Sequence, residues 1–163
     1  VFHHIYCFQG RCELHIRQAR IEDLDNIYRL ETLCFKDPYP KELLYMLLTL
    51  YPELFLVIEL ESNIIGYVAG IVRKDNFGHI ISLCIHPTYR RKGLGKQLVA
   101  YIEKVFKESF NVCQYRLEVR TSNIEAISLY KKLGYSIINR ISNYYPDGED
   151  AYIMIKYVCH HNC

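Results

Sequence analysis

The chain has 163 residues, which suits one domain and is enough to bury a sizeable core. Half of the residues are hydrophobic and 23% are charged, a composition that excludes extensive disorder. Twenty basic and 18 acidic residues leave a net charge of +2. This near balance excludes attraction of the whole protein to nucleic acid or an anionic membrane, but it does not exclude a local basic site.

Neither a membrane span nor a secretory signal is predicted. No apolar run approaches the ~18 residues that a span needs. The first residues lack a basic start followed by an apolar stretch and a small-residue cleavage site. We therefore expect a cytoplasmic protein, with neither nucleic acid nor a membrane as partner. The chain starts with Val1 rather than Met, so the start of translation is left open.

The first half of the chain predicts one strand, two helices and three strands. Apolar–polar alternation predicts a strand over residues 13–19, and helical spacing of apolar residues predicts helices over 21–35 and 41–51. The period then changes to that of strands. Residues 54–60 and 64–72 predict a hairpin, and 79–86 a further strand that Pro87 ends.

The second half predicts helices and strands in alternation. An apolar stripe predicts a helix that begins after residue 93, and alternation predicts a strand over 115–121. Ser122 and Glu125 have the spacing of a capping box for the next helix, and Gly134 is expected to cap its C-terminus. Strands over about 135–144 and 150–158 follow. The whole order predicts one α/β domain, residues 1–163, with a mixed sheet and helices on its faces.

The seven cysteines divide into three within apolar segments and four near the ends. Cys34, Cys84 and Cys113 are expected to be reduced core residues, and no disulfide is expected in a reducing cytosol. The others lie in tails that also contain histidines: Cys7, Cys12, Cys159 and Cys163. These tails either bind zinc or are frayed ends, and their spacing matches no usual zinc pattern. We predict no metal site.

A basic, glycine-containing segment joins a strand to a helix at residues 90–95, which read RRKGLG. The first turn of a helix has free N–H groups and a positive dipole end, which attract phosphate. Glycines let the backbone approach a ligand closely. The segment therefore predicts an anion or phosphate loop, with a solvated basic turn as the alternative. It matches neither a P-loop nor a dinucleotide-binding fingerprint.

The same segment resembles the Arg/Gln-x-x-Gly-x-Gly/Ala motif of the GCN5-related N-acetyltransferase (GNAT) superfamily, which holds the pyrophosphate of acetyl-coenzyme A. The preceding ISLCIHP at 81–87 is similar to the strand before that motif. The stretch from LEVRTSN at 117–123 to Tyr135 resembles the protein N-terminal acetyltransferases, and so does YYPDGEDAYIM at 144–154. CFKDPY at 34–39 looks like the Phe-x-x-Pro-Trp element of RimI enzymes, which acetylate a ribosomal protein. The resemblance covers about residues 14–154.

The resemblance implies the fold and the co-substrate. It implies a single-domain GNAT fold with a mixed, mostly antiparallel sheet, about four flanking helices and acetyl-CoA in a cleft between central strands. Residues that would bind the coenzyme are Leu83, Cys84, Ile85, Arg90, Arg91, Lys92, Gly93, Leu94, Gly95, Lys96, Asn123 and Tyr130. Backbone groups of the first three would hold the pantetheine arm and the oxyanion, so Cys84 is not expected to be a nucleophile.

Acetyl transfer from a thioester to an amine needs a base for the amine and benefits from a proton for the thiolate. The resemblance implies Glu118 as the general base, directly or through water, and Tyr130 as the general acid. Residue pattern alone favours a charged, solvated strand face for Glu118, and it would also fit Tyr130 as a buried aromatic on an apolar helix stripe. His79, at the start of a strand, is an auxiliary base or a structural residue.

The expected acceptor is the α-amino group of a protein or peptide N-terminus. Aromatic walls at Phe35, Tyr39, Tyr144 and Tyr145 suit an extended peptide, although paired strands would also place aromatics together. A ribosomal protein is one candidate substrate, and an auxiliary subunit is a candidate partner. Two alternatives remain open: a GNAT enzyme that acts on a small amine or a lysine, and a non-catalytic module that binds coenzyme A.

Overall fold

The computed structural model describes residues 14–158 of the chain. The four tail cysteines and the choice between zinc binding and frayed ends lie outside these residues. Within 14–158, no helix is long and apolar enough to cross a membrane. The same residues contain no cluster of three or more His, Cys, Asp or Glu side chains that could hold a metal ion.

Residues 14–158 form four α-helices: α1 (Leu24–Cys34), α2 (Lys41–Leu50), α3 (Leu94–Phe110) and α4 (Ile124–Lys132). A 3-10 turn at Ile21–Asp23 precedes α1, so the predicted first helix has two parts. Pro40 is the N-cap of α2, as its fixed φ angle and missing N–H favour. The number of helices agrees with the expected fold.

The strands are β1 (Leu14–Gln18), β2 (Phe55–Leu60), β3 (Asn63–Val72), β4 (Gly78–Ile85), β5 (Gln114–Arg120), β6 (Ser136–Ile141) and β7 (Ala151–Tyr157). The seven strands are ordered β1-β2-β3-β4-β5-β7-β6 in one sheet. β4 and β5 are parallel, whereas β1–β2, β2–β3, β5–β7 and β6–β7 are antiparallel pairs. The predicted mixed, mostly antiparallel sheet is therefore confirmed.

Two compact units are distinguished by their internal contacts. The first contains the described residues up to Gly70 together with Ser82–Ile102. Its core includes Leu30 of α1 and Leu44 of α2, and the rings of Phe55 and Tyr67 stack with centroids 5.6 Å apart. Removal of these apolar surfaces from water is the main term that stabilises the unit.

The second unit contains Ile71–Ile81 and the described residues from Glu103 onwards. Its core includes Leu117, from the buried face of β5, and the stacked rings of Phe106 and Tyr115, 5.4 Å apart. Alternation along β5 buries Tyr115, Leu117 and Val119 and leaves the intervening polar residues half-buried. This alternation places polar groups on one face of the strand.

The start of α4 differs from the predicted capping box. Asn123, not Ser122, is the N-cap, and its side-chain oxygen accepts a hydrogen bond from the Ala126 N–H at 3.1 Å. The Ser122 N–H instead donates to Glu149 Oε1 at 2.9 Å. Asn is as good an N-cap as Ser, so tertiary contacts decide between two neighbouring candidates. Gly134 has a φ of +97° just after α4, as its predicted capping role requires.

Candidate functional site

The predicted phosphate loop lies in the first unit and runs directly into α3. Gly93 has a φ of +78°, a conformation that other residues rarely adopt, and open space surrounds the position of a Cβ. Arg91, Lys92 and Gly93 are exposed, and the helix begins at Leu94. The first N–H groups of α3 therefore adjoin two exposed cations, as an anion site requires.

Arg90 makes a contact that the sequence did not predict. Its Nε donates to the carbonyl oxygen of Ile85 at 3.0 Å. The side chain therefore joins the start of the loop to the end of β4. In this position Arg90 fixes the loop, while Arg91 and Lys92 are exposed and Lys92 Nζ lies 5.6 Å from the centre of the Tyr89 ring.

The predicted pantetheine segment is the end of β4, where Cys84 is buried and Leu83 and Ile85 are half-buried. Gly66 on β3 lies directly beside it. A Cβ on Gly66 would come within 2.7 Å of Ile85 Cδ1, which would have to move, and 3.1 Å from the Cys84 carbonyl oxygen, tighter than most Cβ contacts. Glycine at this position thus suits the close approach of β3 to this part of β4.

The prediction that Cys34 and Cys84 are reduced is wrong. The two residues form a disulfide, with their Cα atoms 6.0 Å apart and 50 positions apart in sequence. Cys113 is also disulfide-bonded. Cys34 ends α1 and Cys84 lies on β4, and the packing of this helix against the sheet brings the two side chains together. A pair so distant in sequence carries no local signal.

The predicted acceptor residues Phe35 and Tyr39 lie on the loop between α1 and α2. Phe35 is half-buried and Tyr39 is exposed. The backbone N–H of Tyr39 donates to Glu31 Oε1 at 2.8 Å. Glu31 was missed from the sequence, although it is an acid on the apolar stripe of α1, one turn after Ile27 and three residues before Cys34. The presence of an acid on an otherwise apolar helix stripe was the signal from which a buried carboxyl group could have been predicted.

Glu31 is the most buried acid among residues 14–158, with 1% of its surface exposed. Its Oε2 accepts a hydrogen bond from the Tyr67 hydroxyl, and the Ser82 hydroxyl lies 2.9 Å from that of Tyr67. Burial raises the pKa of Glu31 to about 7, against smaller lowering effects of the hydrogen bonds from the Tyr39 backbone and from Ser82. The carboxyl group therefore changes its charge near neutral pH.

Replacement of Glu31 by glutamine is expected to change the pH dependence of stability. The folded protein keeps this proton up to pH about 7, whereas the unfolded chain loses it near 4.5. The contribution of Glu31 is thus fully present below pH 4.5 and falls by about 3 kcal/mol as the pH rises through 7. Urea unfolding of wild type and Glu31→Gln at pH 4 and pH 8 measures the change. The free energy of unfolding of wild type, relative to that of Glu31→Gln, should be about 3 kcal/mol lower at pH 8 than at pH 4. If the difference between the two proteins is the same at both pH values, the pKa of Glu31 is not raised.

In the second unit, the predicted base Glu118 contacts two basic side chains. Its Oε2 lies 2.5 Å from His79 Nε2, and its Oε1 accepts from Arg116 Nε at 3.0 Å and Nη2 at 2.8 Å. The parallel pairing of β4 and β5 places His79 opposite Arg116, and Glu118 follows two residues later on the same face. The sequence named Glu118 and His79 separately, and the structure brings them together.

Glu118 is ionised at neutral pH. Burial alone would raise its pKa, but the hydrogen bonds and charges of His79 and Arg116 outweigh burial and lower the pKa overall. An ionised carboxylate only accepts, so His79 Nε2 carries the hydrogen of their contact. In the neutral ring Nδ1 then has the lone pair, and this buried atom has no hydrogen-bond partner among the described residues. The arrangement places one buried proton acceptor, without a hydrogen-bond partner among the described residues, beside a fixed negative charge.

The predicted acid Tyr130 is buried at the end of α4. Its ring meets that of Tyr135 edge to face at 5.5 Å, and Tyr135 donates its hydroxyl hydrogen to Glu103 Oε1 at 2.8 Å. Lys156 Nζ lies 2.6 Å from Glu103 Oε2. The carboxylate that accepts the hydrogen bond from Tyr135 is therefore itself in an ion pair. Burial, with a smaller effect of Tyr145, raises the pKa of Tyr130, and its hydroxyl stays protonated at neutral pH.

The loop between β6 and β7 contains Tyr144 and Tyr145, whose rings meet edge to face at 5.0 Å. The guanidinium of Arg120 lies 3.9 Å from the centre of the Tyr145 ring. Arg120 Nη1 also donates to both oxygens of Asp147 at 3.1 Å and to Glu149 Oε2 at 2.7 Å. One side chain from the end of β5 therefore fixes the loop at three points.

The chain is similar to known proteins over most of its length. The sequence model described as the acetyltransferase (GNAT) family matches residues 24–135. The N-alpha-acetyltransferase of Sulfurisphaera tokodaii is 36% identical over 156 residues, which cover 87% of this chain and 92% of that protein. A putative [ribosomal protein bS18]-alanine N-acetyltransferase of Bacillus subtilis is 37% identical over 141 residues, or 85% of this chain and 92% of that protein.

The crystal structure of Ard1 from Thermoplasma volcanium has the same fold, with a TM-score of 0.86 and 31% sequence identity. The superposition covers 90% of this chain and 99% of that one. The family match includes the phosphate loop, Glu118 and Tyr130, and it extends through segments of both compact units.

Proposed function

Because the chain belongs to the acetyltransferase (GNAT) family, we propose that it transfers the acetyl group of acetyl-CoA to the α-amino group of a protein N-terminus. The observation that carries the proposal is the contact between His79 and Glu118, which supplies a buried proton acceptor. A protein α-amino group has a pKa near 8, so it must lose one proton before it can attack. The names of the Sulfurisphaera and Bacillus relatives support this acceptor class.

The proton of the amine passes to the His79–Glu118 pair, directly or through a water molecule. Glu118 keeps its negative charge beside the ring and stabilises the imidazolium that forms, while Nδ1 of His79 holds the lone pair that takes the proton. The amine nitrogen forms its bond to the acetyl carbon and loses a second proton to solvent, and the carbon–sulfur bond then breaks with its electrons on sulfur. No acyl-enzyme is formed, and the disulfide at Cys84 excludes its sulfur as a thiolate nucleophile.

Tyr130 stabilises the departing thiolate through its hydroxyl hydrogen. A thiol has a pKa of about 8.5, well below that of buried Tyr130, so complete proton transfer from this tyrosine would be uphill. The role that fits these values is hydrogen-bond donation to the sulfur, with the final proton coming from the charged base or solvent. Rigid packing against Tyr135 holds the donor in place.

Replacement of Tyr130 by phenylalanine is expected to lower the single-turnover rate of acetyl transfer by about tenfold, because a hydrogen bond to a charged group is lost. The ring and its packing against Tyr135 remain. The matched control is Tyr157→Phe, which removes the same hydroxyl from an exposed residue of β7. A Tyr130→Phe enzyme as fast as this control would show that water alone stabilises the thiolate.

Acetyl-CoA is the co-substrate in this proposal, with its pyrophosphate at residues 91–96. Arg91, Lys92 and the free N–H groups at the start of α3 supply positive charge and donors. Arg90 acts by fixing the loop to Ile85. Backbone groups of residues 83–85 bind the pantetheine arm. Asn123, in the second unit, caps α4, and its part in coenzyme binding stays a prediction.

Charge reversal in this loop is expected to weaken coenzyme binding. Arg91→Glu should raise the Kd of CoA by at least about tenfold, because an attractive contact to phosphate becomes repulsive. Calorimetry at low and high salt measures the effect, which should shrink at high salt. Lys74→Glu makes the same charge change at an exposed position after β3, and its Kd should equal that of wild type. If Arg91→Glu binds CoA as tightly as wild type does, the loop is not part of the coenzyme site.

Phe35 and Tyr39 remain the predicted acceptor residues of the first unit, and Tyr144 and Tyr145 those of the second. Exposure of Tyr39 and Tyr144 leaves these rings accessible, and the Arg120 contacts hold the second pair in a fixed loop. A ribosomal protein is a candidate substrate because the Bacillus relative carries that specificity in its name. An auxiliary subunit, a cytoplasmic location and one domain over residues 1–163 remain predictions.

A substrate panel tests the proposed function against its alternatives. The full chain is incubated with acetyl-CoA and either peptides with free N-termini, N-terminally blocked peptides with one lysine, polyamines or aminoglycosides. The proposal predicts product only with free N-termini. Product with a polyamine, an aminoglycoside or the lysine alone would assign another acceptor, and CoA binding without any product would indicate a non-catalytic module.

A further inference from the structure

The carboxyl group of Glu31 joins the acceptor loop to the interior of the first unit. Its Oε1 accepts the Tyr39 N–H at 2.8 Å, and its Oε2 accepts the Tyr67 hydroxyl. Ser82, 3.4 Å from the same Oε2, completes a buried cluster with Tyr67 and Glu31. Tyr67, Ser82 and Tyr39 come from β3, β4 and the loop after α1, so one side chain of α1 contacts three other parts of the fold.

The loop depends on this contact more than the strands do. Tyr67 and Ser82 belong to strands whose backbones are held by the sheet. Tyr39, in contrast, belongs to an irregular and mostly exposed segment between two helices. A buried carboxyl group that points from the packed helix to this backbone therefore sets where the loop lies. Loss of the carboxyl would leave the strands in place and remove the acceptor of the Tyr39 backbone N–H.

We propose that Glu31 is a positioning residue for the acceptor: it holds the backbone of Tyr39, and so the aromatic surface for the incoming N-terminus, through a hydrogen bond anchored on Tyr67 and Ser82. The inference rests on the proposed function, because it assigns Tyr39 to the acceptor site. Glu31 itself does not touch the reacting atoms in this role. Its effect is on the binding of the peptide and not on that of acetyl-CoA.

The protonation state of Glu31 does not alter the contact with Tyr39. As a carboxylate, Glu31 accepts from both the Tyr39 N–H and the Tyr67 hydroxyl. As an acid, it still accepts at Oε1 and donates from Oε2 to a neighbouring hydroxyl oxygen. Glutamine has the same shape and the same options, with an NH2 group in place of the O–H. Leucine has a similar size but can neither accept nor donate a hydrogen bond.

The experiment compares Glu31→Leu with Glu31→Gln in the full chain. Peptide KM and acetyl-CoA KM are measured for wild type and both variants, after acetylation of the peptide by wild type has been established. Glu31→Leu should raise the peptide KM by about tenfold, because a buried backbone N–H loses its acceptor. The acetyl-CoA KM should change by less than about twofold. Glu31→Gln should restore the wild-type peptide KM.

A control on the same helix separates positioning from loss of stability. Ile27→Val removes one methyl group from a fully buried residue of α1 and destabilises the helix without touching Tyr39. Its peptide KM should equal that of wild type. Amide exchange of Tyr39, followed by mass spectrometry on the segment 35–43, should be faster in Glu31→Leu and unchanged in Glu31→Gln and Ile27→Val. If Glu31→Leu fails to fold, Glu31→Asp, one methylene shorter, replaces it with the same expected effects.

The results that overturn the inference are distinct from failure of the proposed function. If wild type acetylates peptides but Glu31→Leu keeps their KM, or if Ile27→Val raises it equally, Glu31 is not a positioning residue. Equal defects in Glu31→Gln and Glu31→Leu would also exclude the role, because the acceptor at Oε1 would then be irrelevant. If wild type acetylates no peptide N-terminus, the proposed function fails first and the assignment of Tyr39 fails with it.

Discussion

Replacement of Glu118 by glutamine is expected to lower kcat for acetyl transfer by about 100-fold or more at pH 7, the range of a lost general base. Glutamine keeps the size of the side chain but removes the charge that stabilises protonated His79. Coenzyme affinity should stay near the wild-type value, because Glu118 has no assigned contact to acetyl-CoA. Steady-state kinetics and calorimetry on the same preparations measure both quantities.

The pH profile distinguishes a base from a merely structural residue. Above pH about 8 the α-amino group loses its proton to solvent, so the defect of Glu118→Gln should shrink as the pH rises. Glu108→Gln, the same change at an exposed site on α3, should match wild type throughout. His79→Ala should be as slow as Glu118→Gln, and the double variant no slower than either, because groups that act as a unit are not additive. A defect independent of pH, or full additivity, would contradict the paired base.

Reduction of the Cys34–Cys84 disulfide is expected to lower the free energy of unfolding by about 4 kcal/mol, from the chain entropy that a loop of this length restricts. The two residues are 50 positions apart, so the unfolded chain loses many conformations when they are joined. Urea unfolding of Cys34→Ser/Cys84→Ser against wild type measures the loss. The double variant should also become insensitive to reductant at this site.

A thiol control keeps this prediction specific. Cys113 is disulfide-bonded too, so reductant alone would act on more than one bond. The serine variants remove only the bond within the first unit. Stability equal to that of wild type, with both thiols of Cys34 and Cys84 found free in the wild-type protein, would show that the bond does not form.

The order of helices and strands was predictable because its signals are local. Period changes separate the helical segment before Pro52 from the strands that follow, and Gly134 marks the end of α4. The membership of the GNAT family was predictable as well, because its loop motif lies within a short stretch at residues 90–95. In both cases, residues close in sequence carry the information.

The contacts that define the candidate site depend on tertiary packing. Glu118 and His79 were each named from sequence, but only the register of β4 against β5 brings His79 beside the carboxylate. Glu31 was absent from the prediction because its partners Tyr39 and Tyr67 belong to other elements. Cys34 was expected to be a reduced core residue because its surroundings in the sequence are apolar, and only the packing of α1 brings it beside Cys84.

The most direct test of the central claim locates the acetyl group on the product. Two peptides of identical sequence with one internal lysine are incubated with the full chain and acetyl-CoA, one with a free N-terminus and one blocked. Fragment-ion mass spectrometry then assigns the site of modification. Acetyl is expected on the α-amino nitrogen of the free peptide and none on the blocked one. Acetyl on the lysine of both peptides would contradict it.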